Sequence, residues 1–239
     1  MLKEVNLNKV FVIDIETVPQ CENFDQVPPH FRDLWEQKTR QARKDEFSAE
    51  EFYDRAGIWA EFGQVICISV GFFYNSNGKQ HFRIGSHAGG DEKQVLGDFA
   101  QLLREQKADL LLCAHNGKEF DFPYLCRRML INGIAIPPQL QLAGKRPWEV
   151  KHIDTLELWK FGDYKNYTSL DLLAAVLGIA TPKDDMDGSM VKTVYYEEQN
   201  LPRIISYCQK DVITTAQILL RFKGLDAISE DCITLVSSC

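Results

Sequence analysis

The hydrophobic positions of this chain recur with two periods, and each change of period marks a new element. Residues 10–13 (VFVI) form an unbroken apolar run rich in β-branched side chains, the pattern of a strand buried on both faces. Residues 64–74 (QVICISVGFFY) and 79–85 (KQHFRIG) predict two more strands, and the intervening NSNG predicts a hairpin turn. From 91 to 106 the spacing changes: Val95, Phe99, Leu102 and Leu103 fall on one helical face. Residues 108–116 (ADLLLCAHN) read as another buried strand, followed by a helix from about Asp121 to Ile131. Residues 151–161 (KHIDTLELWKF) read as a short strand running into a helix. TSLDLLAAVLGI predicts a helix capped at Thr168 and stopped at Gly178, and a last long helix covers about 202–222. The stretch 28–58 breaks the alternation. It is polar, helical in propensity and mixed in charge, which predicts a helical insertion between the first two strands. The sum is an α/β fold: a mixed sheet whose first strands form a meander and whose later strands alternate with helices.

Composition narrows the class. The 239 residues are 45% hydrophobic and 11% aromatic, enough to fill a sizeable core, and the expectation is one domain over 1–239 carrying the insertion. No apolar run approaches the ~20 residues that cross a bilayer. The N-terminus lacks the apolar centre of a secretory signal. The seven cysteines are scattered with no Cys-x-x-Cys pair, and Cys67 and Cys113 lie in strand-like runs. The expectation is a reduced, cytoplasmic protein without a membrane partner. A net charge of −7 argues against a broad non-specific grip on duplex nucleic acid. It leaves room for a site that holds a few phosphates through metal ions.

Candidate chemistry begins where the first strand ends. Asp14 and Glu16 are separated by one residue, so they point to one face, roughly 6.5–7 Å apart along the backbone. Carboxylates that close repel unless a cation lies between them or one is protonated. Oxygen ligands of this kind suit hard divalent ions such as Mg²⁺ or Mn²⁺. Two ordinary acids at a solvent-facing strand end fit this stretch equally well. Further along, Asn116, Gly117, Phe120 and Asp121 cluster directly after a buried strand, where α/β sheets place ligands. Asp121 could also simply cap a helix. Phe120 and Phe122 could stack on a nucleobase, with Phe122 assigned to the core. In the last helix Tyr207 and Asp211 are four residues apart, on one face, as a polar site or a plain surface pair. Together Asp14, Glu16, Asp121 and Asp211 are the ligand set that a two-metal phosphodiester site needs.

The segments DIET (14–17), HNGKEFDFPYL (115–125) and YCQKD (207–211) resemble, in order and in element type, the three motifs of the DEDD 3′–5′ exonuclease superfamily. The likeness is closest to the proofreading exonuclease domain of family-B DNA polymerases and to stand-alone bacterial proteins predicted as exonucleases of that type. Tyr207 stands four residues before the last Asp, and Ser206 stands where the other class carries His, so the chain resembles the tyrosine class. The resemblance implies a ribonuclease-H-like fold, its second strand antiparallel, with helices on both faces. It implies that Asp14 bridges two Mg²⁺ or Mn²⁺ ions, that Glu16 and Asp211 complete one shell, and that Asp121 holds the other ion largely through water. Tyr207 would orient the attacking water, and nucleoside 5′-monophosphates would be released one by one. Asn116 and Phe120 match positions that contact the last nucleotides, and Ile15 and Thr17 lie where the strand end meets the terminal one. The implied partner is a single-stranded 3′ end, DNA favoured over RNA. Because a family-B polymerase continues into palm and fingers and this chain ends at Cys239, proofreading would need a polymerase or repair protein in trans. Degradation of RNA or short oligonucleotides by the same site, or an idle nucleic-acid-binding module of this fold, are the alternatives.

Other signals point elsewhere. The histidines at 30, 81, 87, 115 and 152 lack metal-ligand spacing, and His115 reads as a satisfied strand-end residue. GSHAGG (85–90) reads as a turn before a helix, and DDMDG (184–188) as a helix start. Asp154 reads as a helix N-cap, with support of the metal site as its alternative. Basic residues in 38–44, at Arg127 and Arg128, and at Lys145 and Arg146 are solvated faces or a rim for single-strand phosphates.

Overall fold

The computed structural model describes residues 2–44, 46–163, 165, 167–180 and 186–236. In chain order its elements are β1 (Val10–Pro19), α1 (Pro29–Arg43), β2 (Gly63–Ser76), β3 (Lys79–Ala88), α2 (Glu92–Arg104), β4 (Leu111–Ala114) and α3 (Asp121–Ile131). There follow β5 (Ile153–Asp154), α4 (Thr155–Lys160), α5 (Leu170–Val176), α6 (Val191–Tyr196), α7 (Leu201–Lys223) and β6 (Ile233–Leu235). Among the described residues the strands form one six-stranded sheet in the order β5-β4-β1-β2-β3-β6. Strand β2 runs antiparallel to both neighbours, and the remaining pairs are parallel.

The two faces of β1 explain the layering. Phe11, Ile13 and Ile15 pack with Leu96, Phe99 and Leu103 of α2 and with Phe122, Leu125 and Met129 of α3. On the other face Val10 and Val12 pack with Val212, Ala216 and Leu219 of α7, and Val18 with Ile204 and Cys208. Strand alternation therefore puts Asp14 and Glu16 in the stripe that α7 covers, between apolar residues before and after them.

Several expectations meet the structure with corrections. Strand β1 does not stop at its acids but continues to Pro19, because Thr17, Val18 and Pro19 still pair with Val65, Gln64 and Gly63. The ladder shifts register between Glu16 and Thr17, a bulge beside the acidic pair. The hairpin turn closes on Asn77 and Gly78, whose φ values of 51° and 74° are those a type I′ turn requires. GSHAGG is largely strand, since β3 runs to Ala88. The cap of α5 is Ser169 rather than Thr168, its side chain accepting from the Leu172 N–H. Asp184 and Asp185 of DDMDG lie outside the described residues, while Asp187 caps the turn that leads into α6. Strand β6 and helix α6 were too short to show a period. No helix among the described residues is long and apolar enough to cross a membrane.

The insertion has a small core of its own. Trp35 of α1 is fully buried among Phe52, Tyr53, Trp59 and Phe62, with ring centroids 5.1–6.1 Å away. Its indole N–H donates to the Ala49 carbonyl at 2.8 Å. A 3-10 helix, Glu51–Ile58, lies against the end of β1. Gly57 there has no room for a side chain, since a Cβ would stand 3.1 Å from the Val18 backbone.

A buried ion pair holds α2, α3 and the start of β2 together. The Glu92 carboxylate accepts from Arg128 through Nε at 2.8 Å and through Nη2, and from Asn132 Nδ2 at 2.9 Å. It also accepts from the backbone N–H of Val65 at 2.7 Å, at the register shift. Arg128 donates further to the Ala60 carbonyl. Arg128 is therefore structural and not part of a phosphate rim. Removing one partner strands a charge away from water, so Arg128→Met is expected to destabilise the fold by about 3–5 kcal/mol. Adding Glu92→Gln, which keeps the acceptor for Val65, should recover part of the loss. Urea unfolding of the three proteins measures both effects.

Candidate active site

Asp154 organises the turn that delivers the second motif. Its Oδ1 accepts the backbone N–H groups of Asn116, Leu156 and Glu157 at 3.0, 2.9 and 3.2 Å, and its Oδ2 accepts that of Lys118 at 3.0 Å. One carboxylate thus caps α4 and ties the turn after β4 to it. Within that turn Asn116 adopts a left-handed φ of 64°. A Cβ on Gly117 would stand 2.5 Å from Ala114 Cβ and 3.0 Å from the Phe122 ring, so the backbone passes too closely for another residue. His115 is held by both ring nitrogens, to Thr155 Oγ1 and to the Thr168 carbonyl, each at 2.9 Å, and is structural.

The turn brings Asp121 to the first residue of α3, buried, with Phe120 rather than Asp121 as the N-cap residue. The Asp121 carboxylate takes a backbone hydrogen bond from Ile15, which links α3 to β1 beside the acids. Phe122 is fully buried, as expected. Phe120 stays half-exposed, its ring centroid 5.3 Å from that of Tyr124, and Thr17 hydrogen-bonds the Tyr124 phenol. The Ile15 side chain lies in the core on the opposite face from the acids, which leaves only its main chain for contact.

On the α7 face the acids converge. A carboxylate oxygen of Asp14, one of Glu16 and the Cys208 Sγ all lie within 4.8 Å of one another. Glu16 is 7% exposed, Cys208 is fully buried, and Asp14 is partly open. Cys208 donates to the Asp14 backbone carbonyl at 3.4 Å. Tyr207 and Asp211 flank it on the same helix, the phenol hydrogen-bonded to the Asp211 carboxylate. Asp121 and Asp211 are not members of the tight group, but their charges reach it.

These charges shift one another. Withdrawal from water holds Asp14 well above the usual carboxylate range, and the fields of Glu16, Asp211 and Asp121 add to that. Glu16 moves the same way, through burial first and then Asp211. Asp121 is pushed up to about 7 by burial, with Asp154 and Asp211 adding and backbone hydrogen bonds opposing. Burial and the surrounding carboxylates raise Tyr207, so the phenol keeps its proton and acts as a donor. Among the described residues no Lys or Arg forms an ion pair with Asp14, Glu16 or Asp121. Carboxylates that converge in this way, Asp14 and Glu16 above all, fit divalent cations held by oxygen. Cys208 is a site neighbour that the motif resemblance does not single out, although it lies inside YCQKD and three residues before Asp211, a spacing that shares a helix face.

Residues 58–231 match the model of a family described as predicted 3′–5′ exonuclease related to the exonuclease domain of PolB. DNA polymerases of Thermococcus hydrothermalis and Thermococcus kodakarensis are 28% and 27% identical over 148 residues, 57% of this chain. The chain spans only 9% of the length of each. The family B DNA polymerase from the hyperthermophilic archaeon Pyrobaculum calidifontis superposes on 89% of the chain with a TM-score of 0.52 and 18% identity, over 24% of its own length. That likeness bears on the fold, and with the sheet order above it bears out the ribonuclease-H-like α/β architecture.

The raised carboxyls make stability depend on pH. Asp14, Glu16 and Asp121 hold protons more tightly folded than unfolded. The contribution of Asp121 is complete below the ordinary carboxylate range and is lost as pH rises through about 7, and those of Asp14 and Glu16 change in the same direction. The metal-free protein should therefore lose Tm between pH 5 and 8, and Mg²⁺ should restore more at pH 8 than at pH 5. Asp14→Asn should raise the metal-free Tm at pH 8 by roughly 2–4 °C for each kcal/mol of repulsion removed. Scanning calorimetry at the two pH values checks this, and a variant less stable than wild type at pH 8 would contradict it.

Proposed function

The chain belongs to the family of predicted 3′–5′ exonucleases related to the exonuclease domain of PolB, and we propose that, as one unit over residues 1–239, it hydrolyses single-stranded DNA from the 3′ end. The observation that carries this reading is the Asp14–Glu16 pair, held together beside Tyr207 and Asp211, the pair itself without a Lys or Arg partner among the described residues. Asp14, Glu16, Asp121 and Asp211 would hold two Mg²⁺ or Mn²⁺ ions. When bound, they supply an activated water and neutralise charge on the leaving 3′-oxygen.

The chain's own groups do the rest. Tyr207 stays protonated, so it orients the attacking water or a phosphate oxygen by donating a hydrogen bond and does not serve as a base. In the metal-free protein that one proton goes to the Asp211 carboxylate, and it would turn to the water or phosphate once a cation draws on Asp211. Phe120, backed by Tyr124, offers a face for a base to stack on, and the Asn116 amide lies at the same turn. Thr17 and the main chain of Ile15 border the terminal nucleotide. The products are nucleoside 5′-monophosphates.

With a net charge of −7 the protein holds substrate through its ions and a few local contacts and not through a long-range field. DNA is favoured over RNA because the relatives are DNA polymerases. A polymerase or repair protein acting in trans is the partner this reading invites.

End-labelled single-stranded DNA, duplex DNA and RNA, incubated with Mg²⁺, test the proposal. The expected result is mononucleotide release from 3′-labelled single strands, abolished in Asp14→Ala and Asp211→Ala. Near-wild-type activity in either variant would remove that residue from the site. Tyr207→Phe should lower kcat by about 10²-fold, because only the positioning hydroxyl is lost. An unchanged kcat would count against its role.

A further inference from the structure

One ligand atom in the acidic pair's surroundings does not suit the ions just described. Hard Mg²⁺ takes oxygen and keeps water around it, whereas sulfur is a soft ligand that favours zinc and its analogues. Yet the Cys208 Sγ stands with the Asp14 and Glu16 oxygens, all three atoms within 4.8 Å of one another. Around a tetrahedral zinc, donors at about 2.0–2.3 Å lie roughly 3.5 Å apart, so about an ångström of closure joins them. Side-chain rotation supplies that on its own.

Two further observations point to an ion here. Glu16 is only 7% exposed and, among the described residues, has no Lys or Arg to balance it. Cys208 is fully buried in α7 and aims at β1, donating to the Asp14 backbone carbonyl, so its sulfur is already turned towards the acids. Asp14 remains partly open and offers a way in.

We propose that Asp14, Glu16 and Cys208 form a mixed carboxylate–thiolate site selective for a thiophilic divalent cation, Zn²⁺ above all, which competes there with the hard ion. The inference rests on the reading of Asp14 and Glu16 as cation ligands and adds a third donor to them. On binding, the sulfur–hydrogen bond of Cys208 breaks, a sulfur–metal bond forms and the proton passes to solvent. No electron is transferred. The three protein donors leave one position of a four-coordinate zinc for water.

Cobalt is the probe, because a thiolate-to-cobalt charge-transfer band reports sulfur ligation whether or not the protein cuts anything. Titrating the full chain with Co²⁺ should produce this near-ultraviolet band, and one equivalent of Zn²⁺ or a large excess of Mg²⁺ should bleach it. Cys208→Ser should lose the band, and its ratio of Cd²⁺ to Mn²⁺ affinity should fall at least about tenfold, since a direct ligand is gone. Cys232→Ser, a buried thiol in a separate core cluster, should keep the band.

No band in the wild type overturns the proposal, whatever the variants do and whether or not Cys208→Ser folds. So does a band that survives in Cys208→Ser, or Cd²⁺ and Mn²⁺ affinities that fall by one common factor. Magnesium-dependent DNA degradation without a cobalt band sinks this inference and leaves the exonuclease reading standing. A cobalt band in a protein that degrades nothing does the reverse.

Discussion

Repulsion between two carboxylates is the constraint around which this structure is built. Asp14 and Glu16 share one face of a central strand, beneath a long helix and largely out of water, where their charges reinforce one another. A fold would normally expel such a pair or neutralise it with Lys or Arg. Here the surroundings add Asp121 and Asp211 instead. Among the described residues Asp14 and Glu16 have no Lys or Arg partner, so protons or cations from solution are what relieve their repulsion.

Holding like charges together requires stiffness elsewhere. Strand β1 is paired on both sides over Val10–Val12 and with β2 through Asp14 and Glu16, which limits how far the backbone under the acids can drift. The Glu92–Arg128 pair clamps the start of β2 next to the bulge, and the insertion presses on the end of β1 through the close approach at Gly57. Tyr124 spans these parts: its phenol donates to the Gly57 carbonyl at 2.7 Å and also meets Thr17. Asp154 uses both oxygens on four backbone N–H groups, so the turn carrying Phe120 and Asp121 cannot shift without breaking the cap of α4. Glu92, Arg128 and Asp154 belong to other elements than the strand that carries the acidic pair. Their effect on it runs through the backbone.

The elements themselves were largely legible from periodicity. The hairpin, α2, α3 and α7 lie where their apolar spacing put them, with shifts of up to three residues at the ends. The strand carrying the acids was read too short, because charged residues mimic a strand end when only the local pattern is visible. Arg128 was read as surface for the same reason, since nothing nearby in the chain announces Glu92, 36 residues earlier. Strand β6, three residues pairing with β3, has no local signature at all.

What the chain determined by itself were the identities and spacings that chemistry requires: two acids one residue apart on a strand, an acid opening a helix, and a phenol four residues from an acid on another. Strand and helix geometry are local, so those spacings decide which side chains share a face. Only the tertiary structure decided that the faces meet and that Cys208 joins the acids. Those are contacts across nearly two hundred residues, as in the bond from Cys208 to the Asp14 carbonyl at a separation of 194. They arise from packing α7 onto β1, and no local pattern encodes them.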